Sequence, residues 1–491
     1  MPISTSNLSP DFAADDRTHD LIALLAGGGD ERLVLDPETG LNRYMSGPYP
    51  RDVLAYASST ANDISPAAFR YLLDRPEVGP AGYAGALDAL RRRLRAVFAL
   101  EKDVGIVFAP SGTDLEYVAL AATIGRAPGG VHNVLLGADE VGRGCIHSAA
   151  GNFFASRTPL DRTVEAGESV RGLEAVSLSD IPVRCGEGHA RSSREIAAAI
   201  DREVEWARAD ERHALVHVVH GSKTGLILPR LAELDRLRAR WGDAMTVVVD
   251  ACQVRLAPGD VAAYLDRGAI VLMTGSKFIG GVPFSGFALV SAAHIRAAPP
   301  LPTGFDALFR RAEWPENWPG RQALADDANP GLLARLDGAV FELERFRALP
   351  AAAIAAVVDT FQRVLAQELI VPLGLREVET SAEDGASVAA DNVDLLKTLV
   401  TLDVSMLPSA RTFDRAVALH ARLARAGIRL GQPVKSVRLP GGEWGGTLRV
   451  GLSMPQIAAL AAVEPPIRER SLAEPFGTVA AALRQQDVVD A

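Results

Sequence analysis

The stretch Met245-Thr-Val-Val-Val-Asp decides the fold of this chain: an apolar strand that ends in a carboxylate, Asp250. A second apolar run follows in Ala269-Ile-Val-Leu-Met and leads through Thr-Gly-Ser to Lys277. Further short apolar strands alternate with helical segments, a pattern typical of a mostly parallel sheet with helices on both faces. Polar residues just beyond parallel strands meet at one edge of such a sheet. The sequence therefore predicts that Asp250 and Lys277 lie close together.

A lysine and a carboxylate at adjacent strand ends suit the cofactor pyridoxal 5'-phosphate (PLP). The amine of Lys277 would form an aldimine with the cofactor aldehyde. The carboxylate of Asp250 would pair with the protonated pyridine nitrogen, so that the ring can withdraw electrons. A buried Asp that caps a helix beside an ordinary surface lysine gives the same pattern. The pair alone leaves both interpretations open.

A Ser-Gly-Thr turn formed by Ser111, Gly112 and Thr113 adds a possible phosphate site. It follows an apolar strand and opens a segment whose apolar residues recur at helical spacing. Backbone N–H groups, two hydroxyls and the positive end of a helix dipole together bind phosphate. A plain helix cap is the alternative for such a turn in isolation. The later positions of Asp250 and Lys277 favour the phosphate interpretation.

The order of Ser111-Gly-Thr, His220-Gly-Ser-Lys-Thr-Gly, Asp250-Ala-Cys-Gln and Thr274-Gly-Ser-Lys resembles the class V aminotransferase family of fold-type I PLP-dependent enzymes. That family includes alanine–glyoxylate aminotransferases, cysteine desulfurases and kynureninases. The resemblance runs from about residue 81 to about residue 460. It implies an α/β fold with a mostly parallel seven-stranded sheet flanked by helices, and a smaller α+β C-terminal domain. It also implies PLP as cofactor and a homodimer with the active site at the interface.

The resemblance implies further cofactor contacts. Gln253 would hydrogen-bond the phenolic oxygen of PLP, although a Gln on a helix surface is the alternative. Thr274 and Ser276 flank the lysine and would bind the phosphate or orient the amine, while Thr224 would lie near the ring. The family usually places a His or an aromatic side chain on the ring face. This chain has no aromatic residue at the matching position, and His147, several residues late, is the nearest candidate.

Arg449, in the predicted strand that starts at Thr447, is the candidate substrate-binding residue. It resembles the family arginine that forks onto the substrate α-carboxylate, a pairing that the planar guanidinium makes bidentate. A solvent-exposed arginine on a strand is the alternative. The segment Trp314-Pro-Glu-Asn-Trp-Pro is interpreted as a specificity loop or as packing between domains or subunits. The loop at Asn329 is our candidate for the part that crosses to the phosphate of a neighbouring subunit.

Composition narrows the class of protein. The chain has 491 residues, a formal net charge of −10 and three cysteines, too few and too scattered for a disulfide framework or a metal site. The negative charge argues against a nucleic-acid partner, and no apolar run is long enough to span a membrane. The N-terminus lacks the pattern of a secretory signal, so we expect a cytoplasmic enzyme. The expected domains are an N-terminal arm over 1–45, a large PLP-binding domain over 46–345 and a small domain over 346–491.

The reaction type is less constrained than the cofactor. Transamination of an amino acid with a 2-oxo acid is favoured, because it needs only Lys277 as proton shuttle and Arg449 for the carboxylate. PLP-dependent lyase, decarboxylase or carbon–carbon bond-forming chemistry is the alternative. Cysteine desulfurase chemistry is disfavoured, because the chain has no Cys after residue 252. A regulatory module of this fold is also disfavoured, because such modules lose the lysine.

Overall fold

The computed structural model of the protein describes residues 7–76, 78–138, 140–142, 144–379 and 394–490, and it shows an α/β fold. The strands are β1 (Leu54–Tyr56), β2 (Gly105–Ala109), β3 (Val131–Leu136), β4 (Val176–Ile181), β5 (His213–His220), β6 (Ile227–Leu228), β7 (Met245–Asp250), β8 (Ile270–Thr274), β9 (Gly286–Val290), β10 (Arg376–Glu377), β11 (Leu399–Asp403), β12 (Ile428–Leu430) and β13 (Thr447–Gly451). The helices are α1 (Asp16–Ala26), α2 (Pro66–Leu73), α3 (Tyr83–Phe98), α4 (Leu115–Thr123), α5 (Cys145–Ala149), α6 (Ser193–Ala209), α7 (Leu231–Trp241), α8 (Pro258–Leu265), α9 (Ala292–Ala297), α10 (Pro330–Arg347), α11 (Ala351–Leu365), α12 (Val371–Leu373), α13 (Phe413–Arg425), α14 (Met454–Ala461) and α15 (Pro465–Asp490).

The central sheet has the strand order β2-β9-β8-β7-β5-β3-β4, with the two-residue strand β6 paired to β5. Its β3–β4, β3–β5, β5–β7 and β7–β8 pairs are parallel, while β9 runs antiparallel to both β2 and β8. Strands β2, β3, β8 and β9 are buried along their whole length, because helices cover both faces of the sheet. The predicted mostly parallel seven-stranded sheet is confirmed, with β6 as a short addition.

The register of β7 and β8 fixes where the candidate residues lie. Asp250, the last residue of β7, is level with Leu272 in β8, and β8 ends two residues later at Thr274. Both strands therefore finish at the same edge of the sheet, and the segment that carries Lys277 leaves from that edge. This arrangement follows from the parallel pairing, which aligns the carboxyl ends of neighbouring strands.

The C-terminal part contains an antiparallel sheet of β10, β11 and β13, and β12 pairs in parallel with β1. The segment around β1, placed in the large domain by sequence, thus forms a strand pair with the C-terminal part. The sequence pattern predicts a strand over 393–404, and β11 occupies only Leu399–Asp403 of that range. A helical turn over Leu395–Thr398 replaces its first part, because Asp394 caps that turn by accepting a hydrogen bond from Leu396 N at 3.1 Å. Residue 393 lies outside the described residues.

The N-terminal arm is more ordered than its sequence suggests. It contains α1, which packs against α10, and Arg335 of α10 donates hydrogen bonds to the carbonyl oxygens of Leu25, Gly27 and Gly28. These bonds hold the glycine-rich end of the arm against the body of the protein. Among the described residues, no single helix is long and apolar enough to cross a membrane. Only α10 joined to the helical segment Ala351–Leu373, bent by 98° between them, reaches the combined length.

Candidate active site

The predicted phosphate turn packs directly against the ends of β7 and β8. Cys252 N donates to Asp250 Oδ1 at 2.9 Å, and Thr274 Oγ1 donates to the Cys252 carbonyl at 2.8 Å. A Cβ atom added to Gly112 would lie 3.0 Å from both Cys252 Sγ and Thr274 Cγ2. The structure thus brings together three segments that the sequence linked only by their order. The hydroxyl proton of Thr274 is thus already used in the hydrogen bond to the Cys252 carbonyl.

Two buried thiols, Cys145 and Cys252, are sensitive to the charges of both Asp250 and Lys277. The pKa of Cys145 is raised to about 12, mainly by burial and with smaller contributions from the charges of Glu116 and Asp250, while the charge of Lys277 acts in the opposite direction. Burial also raises the pKa of Cys252 well above its ordinary value, again with Asp250 raising and Lys277 lowering it. Each thiol therefore lies within electrostatic reach of both the carboxylate and the amine. Both thiols stay protonated near neutral pH.

The peptide that carries Lys277 is held by a side chain from the N-terminal part. Asn62 Nδ2 donates to the carbonyl oxygens of Ser276 at 3.1 Å and Lys277 at 2.6 Å. Gly280 N also donates to the Lys277 carbonyl at 3.0 Å. Ser276 is half-buried beside the lysine. These bonds fix the direction in which the lysine side chain leaves the backbone. The sequence suggested the segment that starts at Asn62 only as a lining of the substrate pocket, so its contact with the lysine peptide was not predicted.

Cys145, not His147, faces this cluster. Helix α5 begins at Cys145, which is buried near Thr113, whereas His147 is exposed. Residues two positions apart in an α-helix, such as Cys145 and His147, point in directions about 200° apart. Only one of these two side chains can therefore face the cluster. The sequence does not reveal where α5 begins, and this hides which residue faces the site. The structure gives no described contact to support stacking by His147.

Gln253 is buried but turns toward an arginine. Its Oε1 accepts from Arg255 Nη1 at 2.6 Å, and its Nε2 donates to the Ser59 carbonyl at 3.2 Å. Arg255 also donates to Thr398 Oγ1 at 3.0 Å and to Ser58 Oγ at 2.8 Å. Only the second Nε2–H of Gln253 remains for the predicted bond to a cofactor oxygen. Arg255 itself was missed, because its partners come from distant segments.

Thr224 is buried in a polar network around Glu140. The Glu140 carboxylate accepts from Ser222 Oγ at 2.8 Å, from Thr224 Oγ1 at 2.9 Å and from Arg184 Nε at 3.0 Å. Burial raises the pKa of Glu140, but Arg184 and the two hydroxyls lower it more, so the net pKa is below its usual range. The network anchors the loop between β5 and β6. The predicted proximity of Thr224 to a cofactor ring stays a prediction.

A second buried acid, Glu116, lies beside Asp250. Its Oε2 is 3.3 Å from His217 Nε2, and both side chains are almost fully buried. Burial raises the pKa of Glu116 well above its usual range, and the charge of Asp250 raises it further. Burial lowers the pKa of His217 to about 4. Burial therefore favours the neutral form of both groups.

Arg449 is 2% exposed and bonds only neutral oxygens. Its Nε donates to the Gln432 carbonyl at 2.8 Å, Nη1 to the Lys223 carbonyl at 3.1 Å and Nη2 to Thr60 Oγ1 at 3.2 Å. No carboxylate forms an ion pair with it among the described residues. Burial lowers the pKa of Arg449 to about 10. A buried guanidinium without a carboxylate is unfavourable, so this position favours an incoming anion.

The predicted phosphate turn is occupied by an arginine from the arm. Arg32 Nη2 donates to Ser111 Oγ at 3.1 Å and Nη1 to Thr113 Oγ1 at 3.3 Å. Asp30 holds the same guanidinium through Nε at 2.9 Å and Nη2 at 2.6 Å. Ser111 Oγ in turn donates to Asp114 Oδ2 at 2.5 Å, and α4 begins one residue after Asp114. No spacing in the sequence connects Arg32 with the turn.

Two other candidate segments are packed inside the protein. Trp314 and Trp318 are 0% and 1% exposed, with ring centroids 4.7 Å apart, so they pack an apolar core rather than form a specificity loop. Asn329 is 5% exposed. It accepts from Leu332 N at 3.0 Å and donates to the Gly28 carbonyl at 3.0 Å. Its side chain is thus used within its own chain, which does not support a contact with the phosphate of a neighbour.

Comparison with known proteins supports the fold. No family model and no curated protein matches the sequence. A NifS-like protein is similar in structure, with a TM-score of 0.51, 10% identity and coverage of 88% of this chain and 100% of that chain. The cystine C-S lyase C-DES, solved with cysteine persulfide, has a TM-score of 0.52 and 16% identity, with coverage of 87% of this chain and 97% of that chain. A cysteine desulfurase from Thermococcus onnurineus NA1 has a TM-score of 0.50 and 14% identity, with coverage of 87% of this chain and 95% of that chain. The chain has the fold of the fold-type I PLP-dependent enzymes.

Proposed function

We propose that this protein is a PLP-dependent enzyme that acts on an amino acid, with Lys277 as the residue that carries the cofactor. The observation that supports this most strongly is geometric: β7 ends in Asp250 at the same edge of the sheet from which the segment that carries Lys277 leaves β8. The residues also suit the cofactor chemically. Asp250 Oδ1 accepts one backbone N–H, and no described cation forms an ion pair with this carboxylate, so it is available to a protonated pyridine nitrogen.

Each residue has a defined task in this proposal. When bound, PLP supplies an electron-withdrawing ring that weakens a bond to the substrate Cα. Asp250 keeps the pyridine nitrogen protonated. Lys277 Nζ would accept the proton that leaves the substrate Cα and hold it for return, and Asn62 would fix the lysine peptide for this task. Arg449 binds the substrate carboxylate.

Within this class we propose transamination, with an amino acid and a 2-oxo acid as substrates. The reaction needs only a proton shuttle and a carboxylate site, and we assign these two tasks to Lys277 and Arg449. Although similar folds occur in a desulfurase and a C-S lyase, burial keeps the thiols of Cys145 and Cys252 protonated. The chain also has no Cys after residue 252. Both facts argue against a thiolate nucleophile that accepts sulfur.

A single-turnover experiment with the purified protein tests this proposal. The PLP-loaded protein is mixed with each amino acid of a panel, and the products are identified by mass spectrometry. We expect a 2-oxo acid in an amount equal to the enzyme, and recovery of the starting absorbance when a different 2-oxo acid is added. Release of ammonia, sulfite or carbon dioxide instead would select lyase or decarboxylase chemistry. Failure to bind PLP at all would refute the whole proposal.

A further inference from the structure

The end of the N-terminal arm is fixed where it approaches the Ser-Gly-Thr turn. Arg335 Nη2 and Asn329 Nδ2 each donate to the Gly28 carbonyl at 3.0 Å. Gly28 has φ +65°, and a Cβ atom added there would lie 1.9 Å from Asn329 Oδ1. A glycine is therefore required at this point of the chain. The arm is locked two residues before Asp30, so the position of Arg32 is determined by packing.

The guanidinium of Arg32 is held on three sides. Its Cζ lies 4.9 Å from the centroid of the Phe154 ring and 4.7 Å from that of Phe284. Asp30 receives its Nε and Nη2 N–H groups, and the arginine side chain is 16% exposed. Burial lowers the pKa of Arg32, but the hydrogen bonds to Asp30 raise it more, so the group stays charged. Aromatic faces and a carboxylate together fix the plane of the cation.

The remaining donors of Arg32 point at the turn. A guanidinium has five N–H groups. Asp30 uses two, Ser111 Oγ one and Thr113 Oγ1 one, which leaves one Nη1–H without a described protein partner. The neighbouring carboxyl of Asp114 adds little negative charge below neutral pH, because burial raises its pKa to about 7. The turn thus combines hydroxyls, a helix start and a cation, which are the groups that bind a phosphate dianion.

We propose that Arg32 binds the phosphate of the cofactor, so that the N-terminal arm supplies the positive charge of the phosphate site. This inference rests on the proposed function and adds a residue that no motif in the sequence indicates. The phosphate would take the free Nη1–H and share the Nη2 edge with the hydroxyl of Ser111. Asp30 acts as a positioning residue, because it orients the guanidinium without facing the turn itself.

Binding of three related ligands tests the proposal without any measurement of turnover. The ligands are PLP, pyridoxal, which lacks the phosphate, and pyridoxine 5'-phosphate, which lacks the aldehyde and cannot react with Lys277. Affinities are measured by calorimetry for the wild type, Arg32→Ala and Arg32→Lys. Arg43→Ala serves as the matched control, because Arg43 is an exposed arginine on the same arm.

We expect Arg32→Ala to weaken the binding of PLP and pyridoxine 5'-phosphate by roughly 10- to 150-fold, the range for a hydrogen bond to a charged group. Pyridoxal affinity should change less than twofold, and Arg32→Lys should recover part of the loss. Arg43→Ala should match the wild type for all three ligands.

Equal losses for PLP and pyridoxal would show that Arg32 only supports the fold, and an unchanged PLP affinity would remove it from the site; either result overturns the proposal. Thermal unfolding of the ligand-free variants provides a second measurement, and a loss of melting temperature without a phosphate-selective loss of affinity also counts against it. If the wild type binds neither phosphorylated ligand, the proposed function itself fails, which is a distinguishable result.

Discussion

Arg32 is half-buried and Arg449 is buried, and the charges of these two arginines are balanced in different ways. Arg32 is paired with Asp30 through two N–H groups. Arg449 contacts only neutral oxygens, such as the carbonyl of Gln432 and the hydroxyl of Thr60. A buried cation without a carboxylate is costly, and a ligand that carries the missing negative charge removes that cost. The difference indicates that the charge of Arg32 is balanced within the protein, by Asp30. The charge of Arg449 would be balanced only while an anionic ligand, such as a substrate, is bound.

A second arginine strengthens the contrast on the Arg449 side. Burial and the charge of Arg449 together lower the pKa of Arg255 to about 9, with burial as the larger cause. Arg255 bonds the amide of Gln253 and the hydroxyls of Ser58 and Thr398, all neutral groups. Two guanidinium groups within mutual electrostatic reach therefore share a region without an ion-paired carboxylate among the described residues. An anionic substrate would stabilise both charges.

The largest expected effect concerns which lysine amine reacts with the cofactor. Burial lowers the pKa of Lys223 to about 8, and the backbone carbonyl of Lys223 accepts from Arg449, so Lys223 is the rival of Lys277. We expect borohydride reduction of the PLP-loaded protein to fix the cofactor to Lys277, as read by peptide mass mapping. Lys277→Ala should lose the label completely, and Lys223→Ala should keep it. A label on Lys223 would contradict the assignment, because the reactive lysine would then be the residue whose backbone contacts Arg449.

Removal of the unbalanced charge gives the next largest effect. Arg449→Ala should lower kcat/KM by roughly 30- to several-thousand-fold, because loss of a desolvated charge pair costs on the order of 2–5 kcal/mol. PLP affinity should not change, since we propose that the phosphate binds at Arg32 and not at Arg449. Arg449→Lys should recover little, because an ammonium cannot reproduce the fork.

Arg376→Ala is the matched control for Arg449, because Arg376 is exposed on β10 of the same small sheet. It should behave as the wild type. Normal kinetics in Arg449→Ala would mean that the substrate has no α-carboxylate or that Arg255 binds it. A loss of PLP affinity in that variant would contradict the separation between the two arginine sites.

The residues at the edge of the sheet were predictable because their pattern is local. An apolar strand followed by a polar residue, repeated in the next strand, gave Asp250 and Lys277, and parallel pairing brought the two strand ends to one edge. The fold class followed from the same alternation of strands and helices. Arg449 was predictable from the sequence around β13, and the structure buries it against the segment that follows β1.

The remaining contacts depend on tertiary packing, which sequence spacing does not encode. Arg32 reaches Ser111 from an arm that is held in place by α10, and Asn62 reaches the lysine peptide from before α2. His147 was predicted because the starting point of α5, and thus its rotational phase, cannot be inferred from composition. Gln253 was placed on the correct segment, but its direction is set by Arg255.

Asp250→Asn tests the sheet edge without changing either arginine site. The variant should keep PLP affinity, which depends on the phosphate, and the KM for the amino acid, which depends on the carboxylate. We expect kcat to fall by about 10²–10³-fold, because the pyridine nitrogen loses the charge that keeps it protonated. Steady-state kinetics and PLP titration of the same preparation measure both effects. Wild-type turnover would mean that Asp250 has only a structural role.

The smallest expected effect is on stability and concerns Asp114, beside the turn that Arg32 contacts. Burial raises its pKa from an ordinary value of 3.8 to about 7, so the fold binds this proton more tightly than the unfolded chain does. The resulting stabilisation is complete below about pH 4 and is lost as the pH rises to about 7.

Asp114→Asn removes this pH dependence, and the amide oxygen can still accept from Ser111. The stability of the variant relative to the wild type should therefore increase between pH 4 and pH 8, by a few kcal/mol at most. Thermal unfolding across this range measures the change, with Asp103→Asn, at an exposed position, as the control. If the stability difference between Asp114→Asn and the wild type does not change with pH, Asp114 is ionised in the fold throughout this range. Arg32 would then hold the carboxylate in its charged form, and the prediction would be wrong.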